Sequence, residues 1–300
     1  MCIRDSSNLR GRGGAGFPCG VKWGLVPKET DKPKYLVVNA DESEPGTFKD
    51  RVIMERDPHQ LIEGSLISAY ALQSHVCYIY IRGEYYDGFL AMQKAIDEAY
   101  EAGILGENVL GTGFRLDMTM HRGAGAYICG EETGLLSSLE GKRGLPKIKP
   151  PFPAVEGLFR CPTVVNNVET LVSAPPIVRR GGDWYRELGE GAHAGTKVIS
   201  LSGDIARPGN YEVPMGLPLV TLLNDWAGGP AREHEIQAVT MAGLSGGFLA
   251  GDDLDVTLDE PSIRSRDSFL GAGGIIVLSL IHISEPTRRT PISYAVFCLK

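Results

Sequence analysis

Tyr35-Leu-Val-Val-Asn39, running directly into the polar turn Ala40-Asp-Glu-Ser-Glu-Pro45-Gly46, is the stretch that decides the fold. A short apolar run ending in turn-forming residues reads as a strand that opens into a loop. Leu61 to Leu72 follows with apolar residues at helical spacing, and Asp57-Pro58 supplies a start signal for it. Val76-Cys-Tyr-Ile-Tyr-Ile81 is a second β-branched and aromatic run. Phe89 to Ala102 reads as an amphipathic helix ended by Gly103, Phe114 to Met120 as a third strand, and Glu131 to Leu139 as another helix. Strands alternating with helices imply a largely parallel sheet in an α/β domain, assigned to residues 7–187.

Beyond the proline-rich stretch Lys147 to Pro153 and the helix-like Asn166 to Val172, the pattern changes. Short strands (Val198 to Ser202, Gln237 to Met241) surround one brief helix, Pro218 to Ala227, and a good strand, Gly274-Ile-Ile-Val277, comes late. This predicts a small α+β module of β-grasp type over residues 188–278. Residues 1–6 and 279–300 lack clear periodicity and resemble strings found at the ends of fragmentary environmental genes. They are expected to be artefactual, a genuine terminal extension being the alternative.

Bulk numbers exclude several function classes. A chain of 300 residues accommodates about two domains. A net charge of -7 offers no basic stripe for nucleic acid. The six cysteines stand apart with no CxxC, against a disulfide framework and in favour of a reducing, cytosolic setting. No apolar run reaches the roughly 18 residues of a membrane span, and the start lacks the apolar stretch of a signal peptide. Glycine is the informative excess, at 38 residues in clusters.

The densest cluster is Leu9-Arg10-Gly11-Arg12-Gly13-Gly14-Ala15-Gly16-Phe17-Pro18. It satisfies GxGxxG formally, but no strand precedes it, so it is a poor dinucleotide fingerprint. Its physical content is more general. Bare backbone can turn N–H groups toward a phosphate, with Arg10, Arg12 and Lys22 adding charge; a flexible linker is the alternative. Asn39, Asp41, Glu42 and Glu44 lie just past the first strand, where parallel sheets receive ligands, and could accept from ribose hydroxyls or a flavin ring; a solvated acidic turn would look the same. Gly123 to Thr133 again sets glycines before a helix start, suited to an anion, or else Glu131 and Glu132 simply favour the helix dipole. Adjacent on a helix, those two glutamates point apart, which disfavours a shared-proton dyad. Lys149-Pro-Pro-Phe152-Pro joins a cation and an aromatic on a stiff segment, fit for stacking on a base. Asn166 and Asn167 offer two neighbouring amides for a flavin edge, a phosphate or a helix cap. The histidines show no metal-ligand spacing. Arg143 after Gly141-Lys142 rules out a P-loop, and GxSxG is absent.

Taken in order and spacing, these segments resemble the 51-kDa flavoprotein family of complex I, which also contains diaphorase subunits of NAD-reducing hydrogenases and NAD-dependent formate dehydrogenases. The carriers are Arg10 to Pro18, Asn39 to Arg51, Gly123 to Thr133, Gly141 to Gly144 with Lys149 to Pro153, and Pro162 to Thr170; the likeness spans Ser7 to Leu278. It implies an FMN/NADH-binding α/β domain followed by a β-grasp-like, soluble-ligand-binding domain. FMN would lie against Gly11, Arg12, Gly13 and Gly14 and against Asn166, Asn167 and Thr170, with Lys22, Asn39, Asp41, Gly130 and Glu131 completing the pocket. NADH would stack over it, with Phe17 and Phe152 as aromatic contacts and Glu44, Glu132 and Lys149 as polar ones; Glu44, near the adenosine ribose, should repel the extra phosphate of NADPH.

The implied reaction is hydride transfer from nicotinamide to flavin, with no side chain needed as acid or base. The family then passes electrons to a [4Fe-4S] cluster on a CxxCxxC motif, and works with a thioredoxin-like 2Fe-2S subunit and a large iron–sulfur subunit on the cytoplasmic side of the inner membrane. No such cysteine motif occurs here, so onward transfer is not expected of these residues alone. Two departures stand out: Cys19 replaces a common Thr, and Leu25 replaces a third aromatic of some members. A hydrogenase or formate dehydrogenase diaphorase is the neighbouring alternative. A non-catalytic ligand-binding module is the alternative from another class, and it predicts no flavin.

Overall fold

The computed structural model describes residues 6–231 and 234–279. The expectation about the chain ends therefore falls outside the described residues, apart from Ser6 and Ser279. The chain divides into two compact units: one runs to Ser43 and resumes over Phe48–Thr196, and the other takes Glu44–Thr47 with the residues from Lys197 onward.

The first unit is built on β1 (Tyr35–Ala40). Leu36, Val37 and Val38 have no exposed surface. Because side chains alternate across a strand, Leu36, Val38 and Ala40 join one apolar cluster while Val37 joins another. A strand buried on both faces belongs inside a parallel sheet. β1 is indeed flanked by β2 (Val76–Ile81) and β4 (Thr163–Asn167), with β3 (Asp117–Arg122) beyond β2, in the order β3-β2-β1-β4. Every pairing is parallel.

Helices cover both faces. In chain order they are α1 (Cys19–Gly24), α2 (Lys49–Arg56), α3 (Pro58–Leu72), α4 (Tyr86–Glu101), α5 (Glu132–Leu139), α6 (Pro153–Glu156), α7 (Val168–Val172), α8 (Ala174–Arg180) and α9 (Gly182–Glu187). Leu61 and Ile62 of α3 and Met92, Ala95, Ile96 and Ala99 of α4 pack with Leu36 and Val38; Leu135 and Leu136 of α5 pack with Val37 on the other face. The buried positions of α4 recur at the three-and-four spacing of an amphipathic helix. Asp57 starts α3 by accepting from Gln60 N at 3.3 Å, with Pro58 in the first turn.

Where structure and expectation differ, the causes are local. The third strand begins at Asp117 rather than Phe114, because Phe114 is drawn into edge contact with Tyr70 and tilted contact with His75. Thr163-Val-Val-Asn-Asn167 forms β4, and the helix predicted from Asn166 begins only at Val168. There the β-branched run at the strand's start outweighs the amide pair. α2 was not anticipated, since its surface is dominated by charge.

The second unit contains β5 (Thr196–Gly203, whose first residue closes the first unit), β6 (Gly209–Pro214), β7 (Ile236–Thr240), β8 (Phe248–Ala250) and β9 (Gly274–Ser279), in the order β6-β5-β9-β7-β8. β9 pairs parallel with β5 and antiparallel with β7, which pairs antiparallel with β8. α10 (Leu219–Thr221) continues into a helical turn over Leu222–Trp226, and α11 (Glu260–Arg264) follows later. Leu219, Leu222 and Leu223 share a core with Ile199, Leu201, Val239 and Val277. This is the α+β module that the sequence predicts. Among the described residues, no helix is long and apolar enough to cross a membrane.

Candidate functional site: a glycine loop at the switch point of the parallel sheet

β1 has β4 on one side, whereas the chain leaving β1 returns through β2 on the other. At such a reversal of strand order, loops diverge beyond the carboxyl ends and leave a crevice suited to a ligand. Asn39 and Asn167 face each other across that edge, as do Val38 and Asn166.

The glycine loop closes on itself through Gly11 N donating to Phe17 O at 2.9 Å and Arg10 Nη1 donating to Gly16 O at 3.0 Å. It is tied to α7 by Arg12 N, which donates to Thr170 Oγ1 at 2.9 Å. A Cβ on Gly13 would lie 2.8 Å from Asn167 Cβ, so only a bare backbone can come this close to the end of β4. The Arg12 side chain is buried and turned inward, its Nη2 donating to Tyr185 OH at 2.8 Å and to Ala194 O at 3.3 Å. That contact holds the segment after α9 on the first unit, which extends to Thr196.

Asn166 accepts from Trp23 Nε1 at 2.9 Å, while its Nδ2 reaches Cys19 Sγ at 3.8 Å. Burial pushes the Cys19 thiol up to about 12, against Lys22 and Asn166, so a polar contact rather than a thiolate stands there. At the end of β1, Asn39 Nδ2 donates to Gly130 O at 2.9 Å and Asn39 Oδ1 accepts from Asp41 N at 3.2 Å. Burial raises Asp41 to about 6, with the Ser43 hydroxyl and Arg82 opposing it.

Glu131 caps α5, accepting from Thr133 N at 2.8 Å and Gly134 N at 2.9 Å. Glu132 sits between two ammonium groups, Lys22 at 3.0 Å and Lys149 at 2.6 Å, and Lys149 also approaches Glu131 at 3.3 Å. Burial would raise both carboxyls. Donors from Thr133 and Gly134, with Lys149, outweigh it at Glu131, and Lys22 and Lys149 outweigh it at Glu132, so both are held below the usual value. The two glutamates share Lys149, but Glu131, in extended conformation just before the helix, spends one oxygen on the cap while Glu132 takes Lys22 as a second cation. Phe17 and Phe152 leave about half their surface open, at 47% and 55%.

All the expected contact residues except Glu44 fall in the first unit. Arg12 meets Thr170 and Gly13 meets Asn167, with Gly14 next in the loop at a φ of 134°; Asn39 and Asp41 lie against Gly130; Lys22 and Lys149 meet Glu132, and Lys149 also meets Glu131. Glu44 belongs to the second unit, where its Oε1 accepts from Ser245 Oγ at 2.7 Å and from Leu244 N at 3.2 Å.

Sequence reasoning missed the charges behind Asn167. Lys49, with no exposed side-chain surface, pairs with Asp50 at 2.7 Å and Glu169 at 2.8 Å. Asp50 Oδ2 in turn accepts from Asn167 Nδ2 at 2.5 Å. Burial opposes the Lys49 charge, but Asp50, Glu169 and Glu42 together hold its pKa above the ordinary lysine value. Glu42, read only as part of an acidic turn, caps α2 by accepting from Lys49 N at 2.9 Å and Asp50 N at 3.0 Å. The available signal was a Lys-Asp pair directly after the acidic turn and a Glu two residues past Asn167.

Residues 4–176 match the Nuo51 FMN-binding domain, and residues 198–249 match the SLBB domain. An F-type subunit of the NADH-quinone oxidoreductase of Rhizobium meliloti (strain 1021) is 55% identical over 272 residues, covering 91% of this chain and 65% of its own length. The F-type subunit of the NADH-quinone oxidoreductase of Rickettsia typhi is 50% identical over 97% of this chain and 67% of its own length. Among solved structures, an NAD+-reducing [NiFe]-hydrogenase in the air-oxidised state superposes with a TM-score of 0.81 at 37% identity, over 92% of this chain and 46% of that one. The chain spans about two thirds of the length of these curated relatives. It belongs to the family of the Nuo51 FMN-binding domain, the 51-kDa flavoprotein family of complex I.

Proposed function

We propose that this chain binds FMN at the crevice between the ends of β1 and β4 and oxidises NADH there, as the flavoprotein subunit of a multi-subunit NADH dehydrogenase. The observation that carries the reading is the glycine loop packed on Asn167 at the switch point, where Gly13 occupies a place that any Cβ would fill. Without a side chain the loop backbone can lie against the end of β4, and such a glycine backbone beside a strand end suits a phosphate and a flat ring. When bound, FMN supplies the hydride-accepting chemistry.

The residues' own work is binding and alignment. The loop Gly11 to Gly14 receives the phosphate end, and Asn166, Asn167 and Thr170 fix the floor beneath it. Asn39, Asp41 and Gly130 border the ring. Lys149 and Glu132, locked to each other, present a fixed polar edge, and the open faces of Phe17 and Phe152 provide stacking surface. Selectivity for NADH over NADPH is assigned to Glu44 on charge alone. The partners are the thioredoxin-like and large iron–sulfur subunits of the family, and the complex attaches to the inner membrane from the cytoplasmic side.

A [4Fe-4S] cluster does not fit the residues described. Cys19, Cys77, Cys129 and Cys161 are separately buried, and no group of three or more His, Cys, Asp or Glu among the described residues could hold a metal.

The likeness to an NAD+-reducing hydrogenase favours a second reading, a diaphorase subunit passing electrons to a hydrogenase. Both readings share the NADH half-reaction. Anaerobic addition of NADH to the FMN-loaded chain should bleach the flavin absorbance, with NADPH markedly slower. Absence of bleaching by NADH would sink both readings, and equal rates would remove the role given to Glu44.

A further inference from the structure

Lys49 carries a charge into a fully covered site, with its ammonium between Asp50 Oδ1 at 2.7 Å and Glu169 Oε2 at 2.8 Å. Stability alone is a poor explanation, because a buried ion pair gains little over well-packed apolar side chains. What the arrangement does achieve is geometric. The second oxygen of Asp50 accepts from Asn167 Nδ2 at 2.5 Å, and Asn167 Oδ1 accepts from Glu169 N at 3.0 Å. Both ends of the Asn167 carboxamide are thereby fixed, so its orientation is specified and its Cβ stays against Gly13.

We propose that Lys49, acting through Asp50 and Glu169, is a positioning residue for flavin binding: it locks Asn167 as the rigid floor of the glycine loop. The proposal rests on the FMN reading above. The ammonium holds both carboxylates, one carboxylate and one backbone amide hold the carboxamide, and the carboxamide's Cβ holds the loop. A lysine far from any reacting atom therefore sets the loop shape that a phosphate meets. Net charge at this place is not the point; the fixed direction of the amide is.

The test compares substitutions in the full chain. Asp50→Asn has the same shape but only one acceptor oxygen, which cannot meet Lys49 and Asn167 Nδ2 as two separate oxygens do. Leu171→Val, in α7 and fully buried but outside the charge network, serves as a control for general loosening. FMN affinity by fluorescence quenching, the visible circular dichroism of bound flavin and the thermal midpoint are measured for each. Asp50→Asn should weaken FMN by about tenfold or more, the scale of losing a charge-assisted hydrogen bond, and should alter the visible dichroism. Leu171→Val, at a comparable fall in thermal midpoint, should change neither. If Asp50→Asn does not fold, Lys49→Gln with Glu169→Gln removes one charge of each sign and should give the same loss of affinity.

A parent that binds FMN while Asp50→Asn binds it equally well overturns the positioning role and leaves the flavin reading standing. So does affinity that merely tracks the thermal midpoint in both variants. A parent that takes up no FMN overturns the flavin reading, and this role with it.

Discussion

At the scale of single residues, two positions show how placement decides chemistry. Gly13 is needed for want of a side chain: Gly13→Ala would drive a methyl to 2.8 Å from Asn167 Cβ. The loop would have to lift, and FMN affinity should fall about tenfold or more, measured by flavin fluorescence, while far-UV dichroism stays native. Asp41 is the opposite case, a carboxyl defined by its surroundings. Burial raises it from 3.8 to about 6, so the folded state binds its proton more tightly than the unfolded state does. The sign follows from linkage. The contribution is fully present below about 3.8 and is lost as pH rises through about 6. Asp41→Asn should remove that fall, so the thermal midpoint of the variant should decline less than the parent's between pH 4 and 6; parallel midpoint curves would contradict the assignment. The glycine of the first case was legible in the sequence as part of a cluster. Its reason was not, because the requirement comes from Asn167, which is remote in sequence from the loop.

At the scale of elements, the parallel core was readable because the runs Tyr35–Asn39 and Val76–Ile81 and the helix from Asp57-Pro58 obey local rules of pattern and capping. β4 was the instructive miss. Thr163-Val-Val carries strand character, yet Asn166 and Asn167 carry the amides proposed for the site, and the two properties meet in one short segment. Only long-range pairing with β1 resolves it. The buried Lys49 network was illegible for the same reason: a Lys-Asp pair in a charged helix looks solvated until Glu169 is brought beside it. Packing between elements is testable directly. In α3, a Cβ on Gly64 would lie 2.1 Å from Leu171 O of α7. Gly64→Ala should therefore destabilise the protein by about 1–3 kcal/mol despite its better helix propensity, read as a lower urea midpoint. A neutral or stabilising result would contradict the close approach of α3 and α7. Asp57→Ala, removing the α3 cap, should cost about 1 kcal/mol in the same assay.

At the scale of the whole molecule, the chain sets a parallel-sheet α/β unit and a mixed-sheet α+β unit in one sequence of net charge -7. An acidic protein that takes phosphate-bearing ligands must overcome repulsion locally. Lys22, Lys149 and Arg12 are all engaged by protein groups, as are the Gly11 and Arg12 amides of the loop, so the proposed phosphate site would draw on the remaining loop N–H groups and nearby partly neutralised cations. The composition signalled this only indirectly, through clustered glycines. That the loop Glu44–Thr47 folds with the second unit could not be read from its place just past the first strand. It follows from packing such as that of Gly46 beside Ile276 and Glu44 beside Ser245.

A fluorescence titration of the full chain with FMN, run beside Gly13→Val, decides whether the glycine loop is a flavin site. A flavin site there gives saturable quenching by the parent, and at FMN about 100 times its Kd a stabilisation of roughly 2.7 kcal/mol against unfolding. Both are lost in Gly13→Val. A folded parent that neither quenches FMN nor gains stability from it would contradict the account, as would a Gly13→Val chain that binds FMN as the parent does.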